Sequence, residues 1–114
     1  MAGDFRQLEV YRRAVALAGD LYLAVARWPS LDQWSIGLQI IRAADSVGAN
    51  IAEANGRWHD KDRRRLLWMA RGSLHETEHW ILQAEERGLL ERGTAARIDD
   101  IARPLNGLIQ KRRP

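Results

Sequence analysis

Apolar residues recur at helical spacing through most of the chain, broken by short clusters of turn residues into four stretches. The first is expected to run from about Asp4 to Arg27. Asp4 with Gln7 three residues later resembles a capping box. Leu8, Tyr11, Val15, Ala18, Tyr22 and Val25 form one seam, and Val10, Ala14, Leu17, Leu21 and Ala24 an adjacent one. At helical period the two seams cover roughly 200° of the wheel, about twice what one core face needs. Trp28-Pro29 then stops the helix, because the residue before a proline is pushed out of the helical region.

The second stretch starts near Ser30, with Gln33 at the capping-box position, and ends at Asn55-Gly56. Ser35, Gln39, Arg42, Ser46, Asn50 and Glu53 share a polar stripe roughly 80° wide. Most of the remaining girth is apolar or small: Trp34, Ile36, Leu38, Ile40, Ile41, Ala43, Ala44, Val47, Ala49, Ile51, Ala52 and Ala54. A helix apolar around most of its surface must be enclosed. Either it lies deep in its own bundle, or its small-residue faces stay exposed, or the surplus on the first two helices meets another subunit. The last of these is the expectation.

The third stretch runs from about Lys61, capped by Asp60, to Arg87, with Gly88 as its stop. Leu66, Leu67, Ala70, Ser73, Leu74, Thr77, Ile81 and Ala84 are its core stripe. The fourth runs from Thr94, a candidate N-cap, to Lys111, with Ile98, Ile101, Leu105, Leu108 and Ile109 facing inward. Pro104 is expected to kink or break it. No stretch alternates with the period of a strand. Short connections between long helices favour antiparallel neighbours. The chain therefore reads as all-α: one up-down antiparallel four-helix-bundle domain spanning residues 1–114.

Length and composition narrow the function. A chain of 114 residues holds one core and little more. It has no cysteine, which excludes disulfides, thiolate metal sites and cysteine nucleophiles. No apolar run approaches a membrane span. The N-terminal residues lack the basic and apolar regions of a signal peptide. The expectation is a cytoplasmic protein with no membrane association. The net charge is only +3, but it is unevenly spread. Between Gly56 and Gly72 six basic residues face two acids, and Arg103 to Arg113 carries four bases and no acid. Ser73 to Ala102 is acidic. Such asymmetry marks either an anionic partner or ordinary solvated helix faces.

His75-Glu76-Thr77-Glu78-His79 matches the H-E-x-x-H zinc pattern. Both histidines fall opposite the core stripe, and no third ligand stands out downstream, so a chance surface match is the better reading. Glu53 and Glu76 are read as hydrogen-bonded structural carboxylates, since no inward Glu-x-x-His pair accompanies them. There is no nucleophilic triad and no phosphate loop. The chain is therefore read as a non-enzyme without metal or cofactor. The stretch from Gly56 to Arg65 mixes cations with Trp58. Arg57, Lys61, Arg63, Arg64 and Arg65, supported by Lys111, Arg112 and Arg113, are candidates for phosphate contacts, and Trp58 for stacking on an unpaired base. The plainer alternative is a solvated connection with Trp58 covering the bundle end.

Several of these residues, in order and spacing, carry a resemblance. They are Phe5-x-x-Leu8-x-Val10-Tyr11, Trp28-Pro29, Gln39-Ile40-x-Arg42-Ala43-Ala44-x-Ser46-Val47-x-x-Asn50-Ile51-Ala52-Glu53, Gly56-Arg57 and Ala70-Arg71-Gly72-Ser73-Leu74-x-Glu76. The chain resembles the four-helix-bundle family encoded in intervening sequences of bacterial 23S ribosomal RNA genes. It departs at Ala54, where that family usually has glycine. The resemblance implies an up-down bundle, assembly into a homopentamer, and no established enzymatic activity. It also places Gln39, Arg42, Ser46, Asn50, Glu53, Ser73 and Glu76 in the family signature, as a polar seam between helices or between subunits. The family is similar to the accessory protein of diversity-generating retroelements, a basic pentameric bundle that works with nucleic acid. The leading expectation is a homo-oligomer that binds nucleic acid, RNA first, through basic patches. The alternative is a protein-binding scaffold or accessory subunit with no nucleic-acid contact.

Overall fold

A computed structural model describes residues 3–112. Four long helices run through it: α1 (Glu9–Val25), α2 (Leu38–Asn55), α3 (Asp60–Glu86) and α4 (Arg97–Gln110). They pack as an up-down bundle about 49 Å long and 21 Å across. Cross-contacts show each neighbouring pair to be antiparallel. Gly48 of α2 lies against Tyr11 and Val15 of α1, while Gly37, just ahead of α2, lies against Val25 at the other end. Ser46 meets Ser73 across α2 and α3. The start of α3 meets the end of α4 through Arg63 and Lys111, and its end meets the start of α4 through Glu85 and Ala95. Arg97 pairs with Asp20 to close α4 onto α1.

The helix bodies and their C-terminal ends follow the sequence pattern, but most of the expected caps do not form. Asp4 closes a 3-10 turn over Phe5–Gln7 by accepting from the backbone N–H of Arg6 at 2.9 Å, and its carboxylate also holds the Arg6 guanidinium. That bond draws the carboxyl below its usual range. The chain is extended at Leu8, so α1 begins at Glu9 and the expected Asp4–Gln7 capping box does not form. Trp28 ends α1 by burial. Its Nε1 donates to the carbonyl of Leu89 at 3.0 Å, joining the corners at the same end of the bundle.

The chain then takes one α-turn (Ser30–Asp32) and one π-turn (Gln33–Gly37) before α2. Gln33 caps the preceding helix instead of its own: Nε2 donates to the carbonyls of Val25 and Ala26 at 3.2 and 3.0 Å. A Cβ at Gly37 would stand 2.7 Å from Val25 Cγ1 and 3.0 Å from the Asp32 carbonyl, so only glycine fits this close crossing. Asp60 is the first residue of α3 rather than its cap, and with Asp62 it places negative charge at the positive end of the helix. Gly88 ends α3 with φ +71, which glycine adopts without strain.

Thr94 is not the side-chain cap of the last helix. Its hydroxyl donates back to the Glu91 carbonyl at 2.6 Å, within a 3-10 turn (Thr94–Ala96) that precedes α4. Glu85 of α3 does the capping. Its carboxylate accepts from the backbone N–H groups of Gly93 at 3.3 Å and Ala95 at 2.8 Å. Nor does Pro104 break α4, which continues through it. Proline cannot donate to the Asp100 carbonyl one turn back. Arg13 of α1 supplies the missing donor, its Nη1 lying 2.8 Å from that oxygen.

One contiguous core forms between the helices. On α1 the seam of Val10, Ala14, Leu17 and Leu21 is buried, joined by Ala18 and Val25, while Val15 and Tyr22 of the other seam are exposed. On α2 and its lead-in, Ile36, Ile40, Ala43, Ala44, Val47, Ile51 and Ala54 are buried and Leu38, Ile41 and Ala52 half-buried. The second helix thus hides most of its apolar girth inside its own chain. The surplus apolar surface lies elsewhere: Val15, Tyr22 and Leu23 on α1, Leu31 and Trp34 ahead of α2, and Trp68, Met69 and Leu82 on α3. Among the described residues, no buried side-chain nitrogen or oxygen lacks a partner, and no helix is long and apolar enough to cross a membrane.

Candidate nucleic-acid interface

Antiparallel packing of α3 and α4 puts the two basic segments of the sequence at one end of the bundle. A cleft of about 890 Å³ lies between them. Leu8, Ile51, Ala54, Leu67 and Leu108 contribute its apolar lining, and Arg57, Trp58, Asp60, Lys111 and Arg112 its polar lining. Trp58 is 81% exposed, so it stands in solvent rather than covering the bundle end.

The basic residues divide into two groups. Arg63 is only 5% exposed. Its Nη2 donates to Asp60 Oδ1 at 2.9 Å and to the Lys111 carbonyl, and its Nη1 to the Leu108 carbonyl at 3.4 Å. Arg64, half-buried, donates through Nε to the Ile109 carbonyl at 2.9 Å. These two arginines satisfy the last carbonyls of α4 and place positive charge at its negative end. Arg63 is too buried to reach a phosphate, which corrects its expected place among the phosphate contacts, while half-buried Arg64 spends its Nε on the helix end. The reason was visible in the spacing: Arg63, Leu67, Ala70, Leu74, Thr77, Ile81 and Glu85 form one helical stripe, so both charged residues continue the core face.

The second group faces water. Lys61, Lys111 and Arg112 are exposed, and their side chains make no hydrogen bond or ion pair within residues 3–112. Arg65 pairs with Asp62 at 3.0 Å and remains half in solvent. Arg57 is held by Glu53 and lies 3.4 Å from Asp62. The hydrogen bond it donates to Glu53, then the charge of Asp62, raises its pKa further above the usual guanidinium value. Arg113 lies outside the described residues.

The polar seam is only partly assembled. Ser46 and Ser73 share a 2.6 Å hydrogen bond, Asn50 Nδ2 donates to the Ser46 carbonyl at 2.9 Å, and Thr77 donates to the Ser73 carbonyl at 2.7 Å. Gln39 and Arg42 are exposed and stand apart from it. Glu53 serves Arg57 rather than Arg42, and Glu76 accepts from Trp80 Nε1 at 3.1 Å. Glu53 and Glu76 are thus each engaged by a neighbour on their own helical segment. His75 and His79 are exposed on α3, away from the cleft. Among the described residues no group of three histidine or acidic side chains is placed to hold a metal ion.

The order of the four helices and the cleft between their basic ends can be set beside known proteins. The 23S rRNA-intervening sequence protein family matches residues 6–111. The chain belongs to that family. A solved structure, described as that of a protein of unknown function from the S23 ribosomal protein family of Bacteroides thetaiotaomicron, is 22% identical. It covers 90% of this chain and 99% of its own, with a TM-score of 0.78, and shows that the two share a fold. No curated protein matches the chain. The part-buried Ser46–Ser73 contact joins two members of the expected polar seam of this intervening-sequence protein, whereas the Leu89 partner of Trp28 was not foreseen from the sequence.

Proposed function

We propose that this intervening-sequence protein is a non-enzymatic homo-oligomer that binds nucleic acid, RNA first, through its basic bundle end. One observation carries the reading. Lys61, Lys111 and Arg112 come from segments far apart in sequence, lie at the same end of the bundle, and have no acidic partner within residues 3–112. Cations left unpaired in solvent neutralise phosphates without any need for base-specific geometry. Arg57 and Arg65 add charge at the edge of this surface while bound to Glu53 and Asp62.

Self-association supports the same reading, because it repeats a small basic surface and lets weak contacts add. The surface offered to a second copy is apolar: Tyr22 and Leu23 on α1, with Leu31 and Trp34 ahead of α2, are each more than half exposed. Sedimentation equilibrium is expected to give a particle several times the 13.0 kDa chain mass, with a pentamer as the expected form. A mass of one chain at all concentrations ends the oligomer. Those same residues favour the second reading, a scaffold for another protein, over one in which this surface has no partner.

The nucleic-acid reading is tested by titrating a labelled RNA at several salt concentrations. Binding is expected to weaken steeply as salt rises, with a slope of about −0.7 for each phosphate contact on a single strand. DNA of the same length should bind comparably, since the contacts are to phosphate. Absence of binding at low salt leaves the scaffold as the surviving reading.

A further inference from the structure

We infer that the cleft at the basic end takes an unpaired base, so that the protein selects single-stranded over duplex nucleic acid. This rests on the nucleic-acid reading above and adds to it the kind of strand. Phosphate contacts alone do not distinguish paired from unpaired strands in this way. The cleft supplies what they lack.

Its composition matches a nucleotide part by part. Half-buried Leu8 and Leu108 give it an apolar wall over the buried Ile51, Ala54 and Leu67, and a base has apolar faces. Trp58 borders it and is 81% exposed, so its indole is open to stacking. Lys111 and Arg112 line the same cleft and provide positive charge for the phosphates on either side of the base. Asp60, the one acidic side chain on the lining among the described residues, is bound to Arg63 at 2.9 Å, so its charge is compensated where a phosphate would pass. The volume of about 890 Å³ falls within the range of small-molecule pockets.

A base held in a duplex is stacked and paired, and reaching this lining would require flipping it out at a cost of a few kcal/mol. An already unpaired base carries no such cost. Trp58 follows Arg57, whose guanidinium is anchored to Glu53, so the indole is mounted beside the cleft rather than on a free tail. The exposure of Trp58 also has no explanation in packing, since the core is complete without it.

The test compares a labelled short RNA with its blunt duplex at about 50 mM salt, using the full chain and Trp58→Ala. Trp58 contributes nothing to the core, so the variant is expected to fold, and its circular dichroism should match that of the parent. The parent should bind the single strand about tenfold more tightly than the duplex. Trp58→Ala should lose about tenfold on the single strand, the effect of one stacked base, and change little on the duplex. Trp58→Phe should keep most of the affinity, because the stacking face is retained. Equal binding of both strands by the parent, or an unchanged single-strand affinity in Trp58→Ala, overturns the inference and leaves the phosphate reading standing. Failure of both strands to bind removes both.

Discussion

Arg63→Ala is expected to destabilise the protein by about 3 kcal/mol, the lower end of the range for losing one member of a buried ion pair. The variant removes the Arg63–Asp60 ion pair and leaves the Leu108 and Lys111 carbonyls without their donors. Asp60 is partly solvent-exposed, which recovers some of the loss and sets the expectation at the low end. For a chain of this size the melting temperature should fall by roughly 10–15 °C. Arg65→Ala is the contrast. Its pair with Asp62 lies in solvent, and such pairs contribute about 0–1 kcal/mol. Arg63→Lys should recover only part of the loss, because an ammonium cannot reproduce the fork that reaches both Asp60 and the helix end. Thermal melts at matched protein concentration separate these outcomes. If Arg63→Ala and Arg65→Ala melt alike, the assignment of Arg63 to the fold is wrong.

That arginine has a counterpart at the far end of α3. Arg63 holds the C-terminal carbonyls of α4, and Glu85 holds the N–H groups at its start. Each charge has the sign that the facing helix terminus favours. The last helix, short and containing Pro104, is thus gripped at both ends by charged side chains of the longest one, and in the middle by Arg13. This arrangement explains why α4 stays helical across a proline that on its own would break it.

The bundle itself was legible in the sequence because periodicity reports which face of a helix is buried. The core stripes of α3 and α4 appear at the expected residues. The stops at Asn55-Gly56 and at Gly88 were legible as well, but most caps were not, for a consistent reason: they come from elsewhere in the chain. Gln33 caps α1 from beyond a turn, Glu85 caps α4 from α3, and Arg13 replaces the donor that Pro104 lacks. A local pattern such as Asp4 with Gln7 cannot register partners that only folding supplies. The basic run from 57 to 65 was legible as charge but not as surface, since a run of arginines conceals the one that lies on the core stripe. The meeting of that run with Lys111 and Arg112 follows from topology alone. In an up-down bundle the start of the third helix and the end of the fourth share one end.

The central claim is that this shared end binds nucleic acid, and the second large effect is expected there. Replacing Lys61, Lys111 and Arg112 together with alanine removes exposed cations that have no structural partner among the described residues. Stability should therefore change by less than about 0.5 kcal/mol for each surface substitution. Three lost phosphate contacts at a slope of about 0.7 each correspond to a loss of at least about a hundredfold in affinity at 50 mM salt. The direct measurement is RNA affinity as a function of salt for the parent and this triple variant. The account predicts weaker binding at low salt, a salt dependence shallower by about two, and convergence of the two proteins near 1 M salt. A triple variant that binds RNA as tightly as the parent, with the same salt dependence, would contradict it.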